Sequence, residues 1–552
     1  MREKIMQNFK KILVTFLAIL AVVGLGMGTV SALSKDDTAE LKITNIEGKP
    51  TVTLYKIGDG VYNNNGDSFI KFEFVNGAKN LSEIEPTSSQ ITEIANGIKK
   101  GTVSATQVEA KNIDNQTYTY KAKGASAYIA ILTGAKDGRV YNPILLAASY
   151  NGEGKLIGGE VSSRDSYLYG QKTVAKSTLP NITKAVSGTI KDGERDTGSL
   201  GQVLTYKLTV TLPSYAKEAV NKTVYISDSM SEGLSFDYSS LSIEWNGKNA
   251  IITTDGSVTV DGIKIASAKK EANGFNLSFV YDALKDIAPT VSYKAIINEK
   301  AVVGEPGNIN SVELFYSNNP TEGSTYENVE KKPTEGKGII KKEASKTVHT
   351  YQIAFKKIDS KSKTPLADAV FGVYSDENAT QLVDIVKTNK EGYAVSTRVS
   401  KGKYYIKELK APKGYSLNTT VYMVNAEWSF STMKASVESK NTTYTSNKNE
   451  AASNSKQVGW LKEGVFYNLN NKPIGTNIQE AYVLSTTTIS ENTTIINKNE
   501  GAGTVLLNQD IPNTKLGELP STGSIGTYLF KAIGSAAMIG AIGIYIVKRR
   551  KA

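Results

Sequence analysis

Apolar and polar residues alternate with a period of two along most of the chain. The pattern is clear at 51–55, 204–210, 312–316 and 404–406, and turn sequences such as Asn246-Gly247 lie between such runs. Strands with one buried face show this alternation, and many short strands joined by turns are typical of β-sandwiches. We therefore predict an all-β protein of tandem immunoglobulin-like sandwiches. A few short helices are also expected, for example at 89–99.

The N-terminal end does not follow this pattern. A basic stretch, 1–11, precedes an apolar run at 12–26 and the small-x-small sequence at 30–32. This order predicts a secretory signal peptide, 1–32, that is removed from the mature protein. A retained membrane anchor is the alternative, but the run is short for a span of about 20 residues.

The C-terminal end carries an apolar segment, 528–547, and a basic tail, 548–552, which together predict a membrane span whose end stays in the cytoplasm. With the Leu-Pro-x-Thr-Gly sequence before the span, they resemble the sorting signal of sortase-anchored surface proteins. A permanent anchor after a coincidental linker is the alternative. In such proteins a sortase cysteine attacks the threonine carbonyl, and an amine then takes over the acyl group. The motif comprises Leu519, Pro520, Ser521, Thr522 and Gly523.

Composition excludes several classes of function. The formal charge is +11, but the two terminal segments hold +3 and +5, so the mature chain carries only about +3 and gives no case for nucleic-acid binding. The chain has no cysteine and one histidine, His349. A zinc site, a histidine-based triad and a thiol nucleophile are therefore not expected, and no cofactor or metal is implied. Stability outside the cell must come from something other than disulfides.

Clusters of turn residues, each followed by a new run of predicted strands, divide the mature chain into three predicted domains. They span 33–176, 177–346 and 347–517, and a short linker then leads to the sorting motif. A segment rich in Ser, Thr and Asn, 430–500, is interpreted as an insertion with loops.

Three polar side chains occupy inward positions of the middle domain. Alternation places Lys184 on the face of Ile182, Asp228 on the face of Ile226, and Asn318 on the face of Val312, Leu314 and Tyr316. A buried lysine loses its proton and a buried carboxyl gains one. The neutral amine could then attack the asparagine carbonyl, with the acid shuttling protons and ammonia leaving. An ordinary solvated lysine with an unrelated Asp and Asn fits the same periodicity.

Three sequences of the middle domain resemble those of Gram-positive major pilins. They are Pro-x-x-x-Lys at 180–184, Ser-Asp-Ser-Met-Ser-Glu-Gly-Leu at 227–234 and Tyr-Ser-Asn-Asn-Pro at 316–320. The resemblance implies a CnaA-type domain whose Lys–Asn isopeptide bond joins Lys184 to Asn318, with Asp228 as catalytic acid. Asn319 is the alternative partner.

The C-terminal domain resembles a CnaB-type isopeptide domain. A Lys-x-Asp sequence at 357–359, a Leu-Ala-x-Ala-x-Phe stretch at 366–371 and Glu-Leu-Lys-Ala-Pro-Lys-Gly-Tyr at 408–415 occur in the order typical of that family. The resemblance implies that Lys357 forms the bond and that Glu408 is the catalytic acid. Its partner is expected on the last strand, where Asn513 fits best and Asn508 is the alternative.

The segment 127–145 resembles the N-terminal domain of the same pilins, and it shows no convincing triad. Many of these pilins carry the lysine that joins subunits in a Val-Tyr-Pro-Lys sequence, which this chain lacks. By position, Lys176 is the expected intersubunit lysine, linked to Thr522 of another copy. Lys172 is the alternative.

The resemblance implies a structural backbone subunit of a covalently polymerised pilus, secreted and anchored to the cell wall. The competing interpretations are a monomeric wall-anchored adhesin and, less favoured, a surface enzyme, for which the sequence offers no catalytic cleft. Forming its own cross-links once does not make the chain an enzyme. Expected partners are pilus-specific and housekeeping sortases, other copies of the chain, minor pilins and peptidoglycan. The host surface stays open.

Overall fold

A computed structural model describes residues 34–66, 69–82, 86–150, 156–158, 172–428, 434–435, 439–489, 494–495 and 503–517. The predicted signal peptide, sorting motif, membrane span and basic tail lie outside these residues. Among the described residues, no helix is long and apolar enough to cross a membrane.

The chain forms two compact units. The first contains the chain up to Thr178 together with the segments Tyr215–Asn221 and Asn318–Gly323, and the second contains the remainder. The strands β12–β25 of the second unit are called the middle domain below, and β26–β39 the C-terminal domain.

The first unit contains eleven strands among its described residues. A sheet in the order β3-β2-β6-β8-β9, with β4 also on β2, lies beside the sheet β10-β1-β5 and the pair β11-β7. β6 is buried along nearly its whole length, which explains its continuous apolar run. The strands are β1 (Thr38–Thr44), β2 (Thr51–Tyr62), β3 (Phe69–Phe74), β4 (Thr106–Asn112), β5 (Thr117–Lys123), β6 (Ser126–Thr133), β7 (Val140–Tyr141), β8 (Ile144–Tyr150), β9 (Leu156–Gly158), β10 (Lys172–Val174) and β11 (Ser177–Thr178).

One helix of the first unit confirms the helix predicted at 89–99. This helix, α1, spans Ser88–Lys100 after a short 3-10 helix, Lys79–Ser82. Thr87 and Gln90 form a capping box at its start, and Gly101 ends it with a φ of 75°. Only glycine adopts that left-handed conformation without steric cost, so the sequence determines both ends of the helix.

The middle domain is a sandwich of two sheets. Their strand orders are β12-β15-β23-β17-β18 and β13-β14-β25-β24-β16-β22-β21-β20-β19. A short helix, α2 (Tyr281–Leu284), precedes β23. The strands are β12 (Asn181–Ser187), β13 (Ile190–Asp192), β14 (Arg195–Thr197), β15 (Val203–Thr211), β16 (Val224–Met230), β17 (Leu234–Trp245), β18 (Lys248–Asn249), β19 (Ile251–Ile252), β20 (Ser257–Val260), β21 (Ile263–Glu271), β22 (Gly274–Phe279), β23 (Thr290–Ile297), β24 (Asn308–Ser317) and β25 (Ile339–His349).

The C-terminal domain has two main sheets, β29-β26-β38 with β39 also on β26, and β28-β27-β30-β31. Phe355 and Phe371 meet edge to face in its buried core. The strands are β26 (Gln352–Asp359), β27 (Val370–Tyr374), β28 (Leu382–Lys387), β29 (Tyr393–Val395), β30 (Gly402–Lys410), β31 (Val421–Ala426), β32 (Lys434–Ala435), β33 (Ser439–Thr445), β34 (Gln457–Lys462), β35 (Val465–Asn468), β36 (Ile478–Ile489), β37 (Thr494–Ile495), β38 (Thr504–Leu506) and β39 (Ile511–Asn513).

The segment 430–500 is more ordered than the loops predicted for it. It contains a four-stranded sheet in the order β33-β36-β34-β35. Tyr444 and Phe466 stack in parallel, with ring centroids 3.9 Å apart. Val458, Ala481 and Val483 are buried in a small core with Leu382 and Ile385 of the C-terminal domain. The Ser, Thr and Asn content of the segment concealed this sheet, because those residue types are typical of loops.

Candidate cross-linking sites

Lys184 lies inside the middle domain, as its alternation with Ile182 predicted. It projects from β12, and its side chain is fully buried. The rings of Tyr206 and Tyr293, on β15 and β23 of the same sheet, lie 5.5 and 5.9 Å from its Nζ. These stacked rings exclude water from the amine and leave it only a few polar partners.

Those partners lie on the opposite sheet. Lys184 Nζ donates to Asp228 Oδ2 on β16 at 2.7 Å, and it also donates to Oδ1 of Asn310 on β24. Asp228 and Asn310 are likewise buried. The site therefore brings an amine, a carboxyl and a carboxamide together between the two sheets.

Burial sets the charge balance of this site. Burial raises the pKa of Asp228 to about 6, although the neighbouring ammonium limits the rise. Burial also lowers the pKa of Lys184 to about 8, against the attraction of Asp228. Because burial disfavours both charged forms, it brings the pair of neutral amine and protonated acid closer in free energy to the ion pair. A neutral, nucleophilic amine is thus accessible at neutral pH.

The asparagine beside Lys184 is Asn310 and not Asn318, which the sequence analysis favoured. β24 begins at Asn308 and ends at Ser317, so Asn318 follows the strand and belongs to the first unit. Asn310 lies eight residues earlier, about 26 Å along an extended chain. The alternative, Asn319, lies further still from Asn310 and accepts a hydrogen bond from Thr321. β24 is also not the last strand of the domain, because β25 follows it.

The signal for Asn310 was present in the sequence. Asn310 shares the period-two face of Val312, Leu314 and Tyr316, and all four side chains are buried. The apolar run that predicts this strand begins at Val312, and Asn310 lies two residues before it on the same face.

The C-terminal domain brings its three expected residues together. Lys357 on β26 donates to Oδ1 of Asn513 at 2.6 Å and to the carbonyl oxygen of Ile511 at 2.9 Å. The Asn513 amide donates to both carboxylate oxygens of Glu408, at 2.9 and 3.1 Å. Asn508, the alternative partner, is exposed.

Parallel pairing of β26 with β39 creates this arrangement, because it places Lys357 opposite Ile511 and Asp359 opposite Asn513. Lys357 is fully buried, and burial lowers its pKa to about 8. Burial also raises the pKa of Glu408, although its hydrogen bond from the Asn418 backbone opposes this rise. The second site therefore has the same chemical composition as the first, with glutamate in place of aspartate.

The two candidates for the intersubunit lysine have a different environment. Lys172 begins β10, which pairs with β1, and Lys176 lies between β10 and β11. Both side chains are exposed. The Ala175 amide donates to the Thr44 carbonyl, which fixes the backbone next to Lys176. An amine in this position is open to an external enzyme, unlike Lys184 and Lys357.

Four family models match consecutive parts of the chain. They are described as the T6 antigen Ig-like domain (36–177), the Gram-positive pilin backbone subunit 2, Cna-B-like domain (200–320), a prealbumin-like fold domain (351–449) and the LPXTG cell wall anchor motif (511–552). The second description is Cna-B-like, whereas the resemblance in the sequence implied a CnaA-type domain.

Two comparisons cover nearly the whole chain. The trypsin-resistant surface T6 protein of Streptococcus pyogenes serotype M6 is 65% identical over 536 residues, which are 97% of this chain and 99% of that protein. The solved T6 backbone pilin of serotype M6 S. pyogenes, described as a modular three-domain structure decorated with variable loops and extensions, is 60% identical. It superposes with a TM-score of 0.78 over 88% of this chain and 100% of that one. The chain belongs to the family of Gram-positive backbone pilins.

Membership of this family confirms the predicted all-β architecture of immunoglobulin-like and prealbumin-like domains. It also confirms a surface pilus subunit with an LPXTG cell-wall anchor, and the protein is thus structural. Which residues of this backbone pilin form covalent bonds is a separate question.

Proposed function

We propose that this backbone pilin is joined to further copies through an amide bond between the Thr522 carbonyl and Lys176, made by a pilus sortase. We further propose two internal isopeptide bonds, Lys184 to Asn310 and Lys357 to Asn513. Asp228 and Glu408 serve as the acids of these two reactions. The chemistry that joins copies belongs to the sortase, whereas the internal bonds form without an enzyme.

The observation that carries the internal bonds is the repetition of one arrangement in two domains. In each, a buried lysine lies against an asparagine carbonyl oxygen and a carboxyl group. A buried ion pair costs several kcal/mol of desolvation and adds little stability by itself. Two such sites are easier to explain as reactants placed for bond formation than as stabilising ion pairs.

Each bond would connect elements that are distant in sequence. Lys184 and Asn310 are 126 residues apart and lie on facing sheets, and Lys357 and Asn513 are 156 residues apart on adjacent strands. A cross-link of this kind removes conformational freedom from the unfolded chain and resists separation of the strands it joins. This would supply the strength that a cysteine-free subunit cannot obtain from disulfides.

Polymerisation is supported by the exposure of Lys176 and Lys172 next to short paired strands. The test is co-expression of the chain with its pilus sortase, followed by denaturing gel electrophoresis. We expect a heat-stable ladder that Lys176→Arg abolishes and Lys172→Arg leaves intact. A ladder that is lost in Lys172→Arg and kept in Lys176→Arg would assign the linkage to Lys172. A ladder that persists in each of the two variants would refute the assignment. A sortase-dependent product that stays monomeric and wall-linked favours the adhesin interpretation.

Intact mass spectrometry tests the internal bonds. Each bond should reduce the mass of the folded chain by one ammonia, and peptide mapping should recover the joined peptides. A folded chain with its full unmodified mass would refute both bonds without affecting the sortase linkage.

A further inference from the structure

Tyr293 connects the acid and the amide of the middle-domain site. Its side chain is buried on β23, with 1% of its surface exposed. Its hydroxyl donates to Asp228 Oδ2 at 2.6 Å, and the Asn310 Nδ2 donates to the same hydroxyl oxygen at 3.1 Å. The hydroxyl therefore bridges the carboxyl that would accept a proton from Lys184 and the nitrogen that would leave as ammonia.

The C-terminal site needs no such bridge. There the Asn513 amide donates directly to Glu408, whose side chain is one methylene longer than that of aspartate. In the middle domain, the Asp228 carboxylate accepts hydrogen bonds from Lys184 and Tyr293. Among the hydrogen bonds of the described residues, none joins Asp228 directly to Asn310. The hydroxyl of Tyr293 occupies the gap that the shorter acid leaves.

We propose that Tyr293 is a catalytic residue of the middle-domain cross-link, relaying a proton from Asp228 to the departing nitrogen of Asn310. The proposal rests on the proposed bond between Lys184 and Asn310. It explains how an aspartate can perform the task that Glu408 performs by direct contact.

The reaction balances as an amine exchange. Lys184 first gives a proton to Asp228, and the neutral Nζ then attacks Cγ of Asn310, so that the Nζ–Cγ bond forms. When the Cγ–Nδ2 bond breaks, the Tyr293 hydroxyl gives its proton to Nδ2, and Asp228 returns a proton to the phenolate. Nζ loses one further proton to Asp228, the amide carbonyl re-forms, and Nδ2 leaves as ammonia. Asp228 passes this last proton to the departing ammonia, so the lysine ammonium and the asparagine carboxamide become one secondary amide and one ammonium ion, with the Asp228 carboxylate and the Tyr293 hydroxyl regenerated.

Tyr206 provides a matched control within the same site. Its ring stacks on that of Tyr293, with centroids 5.6 Å apart, and it is equally buried and equally close to Lys184. Its hydroxyl lies near the Asn310 side chain but, unlike that of Tyr293, forms no hydrogen bond with Asp228 and so cannot connect the acid to the amide. Removing this hydroxyl changes packing and polarity much as removing that of Tyr293 does, without interrupting the proposed relay.

The experiment follows ammonia loss by intact mass while the full chain refolds from a denatured, uncross-linked state. Peptide mapping at each time point separates the two bonds. We expect Tyr293→Phe to slow the Lys184–Asn310 bond by about 100-fold or more, the range of general acid catalysis. The Lys357–Asn513 bond should form at the wild-type rate in the same molecules and so report correct folding. Tyr206→Phe should slow neither bond.

A rescue variant separates a relay from a packing effect. In Asp228→Glu combined with Tyr293→Phe, the longer acid can reach Nδ2 directly, so the rate should recover at least tenfold. The relay is refuted if Tyr293→Phe cross-links at the wild-type rate, if Tyr206→Phe is slowed equally, or if the double variant folds without recovery. A wild-type chain that folds but never joins Lys184 to Asn310 refutes the proposed bond instead.

A second measurement does not depend on the folding of Tyr293→Phe. Incorporating fluorotyrosine throughout the chain makes every phenol more acidic and keeps every hydroxyl. If the relay operates, the middle-domain bond should form faster and the C-terminal bond should form at an unchanged rate. Unchanged rates of bond formation at both sites would overturn the relay.

Discussion

Lys357 and Asn513 lie side by side on parallel strands, with Nζ 2.6 Å from Oδ1 although 156 residues separate them in the sequence. The amide nitrogen of Asn513 faces Glu408. The attacking amine and the leaving nitrogen are therefore both within reach of one carboxyl, whose Oε1 lies 3.9 Å from the amine. The side chains that the proposed bond would join are therefore already in contact.

Replacing the acid of this site should leave the C-terminal domain uncross-linked. In Glu408→Gln the side chain keeps its size but can no longer accept and return a proton, so the Lys357–Asn513 bond should not form. Relative to the mass calculated from its own sequence, the variant should have lost one ammonia fewer than the wild-type chain. Loop closure over 156 residues predicts a loss of about 5 kcal/mol, or a fall of about 10 °C or more in the midpoint of thermal unfolding.

Glu391→Gln is the control for this change, because Glu391 is exposed in the same domain. It should retain both bonds and the wild-type midpoint. A Glu408→Gln chain that still loses two ammonia molecules would show that Glu408 is not the acid.

The choice between Asn310 and Asn318 can be tested directly. Asn310→Ala removes the carbonyl that Lys184 contacts, so the middle-domain bond should be absent and the chain should have lost only one ammonia from the mass calculated for its own sequence. Asn318→Ala should form both bonds, because Asn318 follows the end of β24. Peptide mapping that finds Lys184 joined to Asn318 would contradict the arrangement described here.

At the middle-domain site, the inward positions of Lys184 and Asp228 could be predicted from the sequence. Lys184 and Asp228 each follow apolar residues at two-residue spacing, so their inward orientation depends only on local alternation. The position of Asn310 depends in addition on where β24 begins. Strand ends are set by neighbouring strands and not by the strand's own residues, and here β24 extends four residues before Val312.

Tyr293 could not be recognised from the sequence at all. Its inward orientation follows from alternation with Val291 and Ala295. Its role depends on the pairing of β23 with β15 and on the facing sheet, which brings Asp228 and Asn310 to its hydroxyl. Long-range contacts between sheets leave no local pattern. Family resemblance was used for both sites: in the C-terminal domain it pointed to the three residues that the structure brings together, whereas in the middle domain it pointed to Asn318 instead of Asn310.

The rate of middle-domain cross-linking should depend on pH in a bell-shaped manner. Burial places the pKa of Asp228 at about 6 and that of Lys184 at about 8. As pH falls below about 6, Asp228 is already protonated and cannot take the proton of the lysine. As pH rises above about 8, the amine is free but Asp228 has no proton to pass on. Refolding at a series of pH values, followed by mass spectrometry, should show a maximum between these limits.

Asp228→Asn is the control for the pH dependence, because it removes the titrating acid while keeping the side-chain size. It should form no middle-domain bond at any pH, whereas its C-terminal bond should form normally. A rate that is constant from pH 5 to pH 9 in the wild-type chain would exclude the Lys184–Asp228 pair as the proton-transfer unit.

Asp192 should contribute strongly to the junction of the middle and C-terminal domains. Its carboxylate accepts hydrogen bonds from the Tyr351 hydroxyl at 2.6 Å, from Lys401 Nζ at 2.6 Å and from the Trp428 backbone amide at 2.8 Å. Asp192→Ala leaves these three donors without their acceptor in a largely buried place, which should cost about 2 kcal/mol. Lys248→Ala removes the exposed partner of Asp261 and should cost less than about 1 kcal/mol. Thermal unfolding of both variants measures this difference, and equal midpoints would show that the Asp192 contacts do not stabilise the junction.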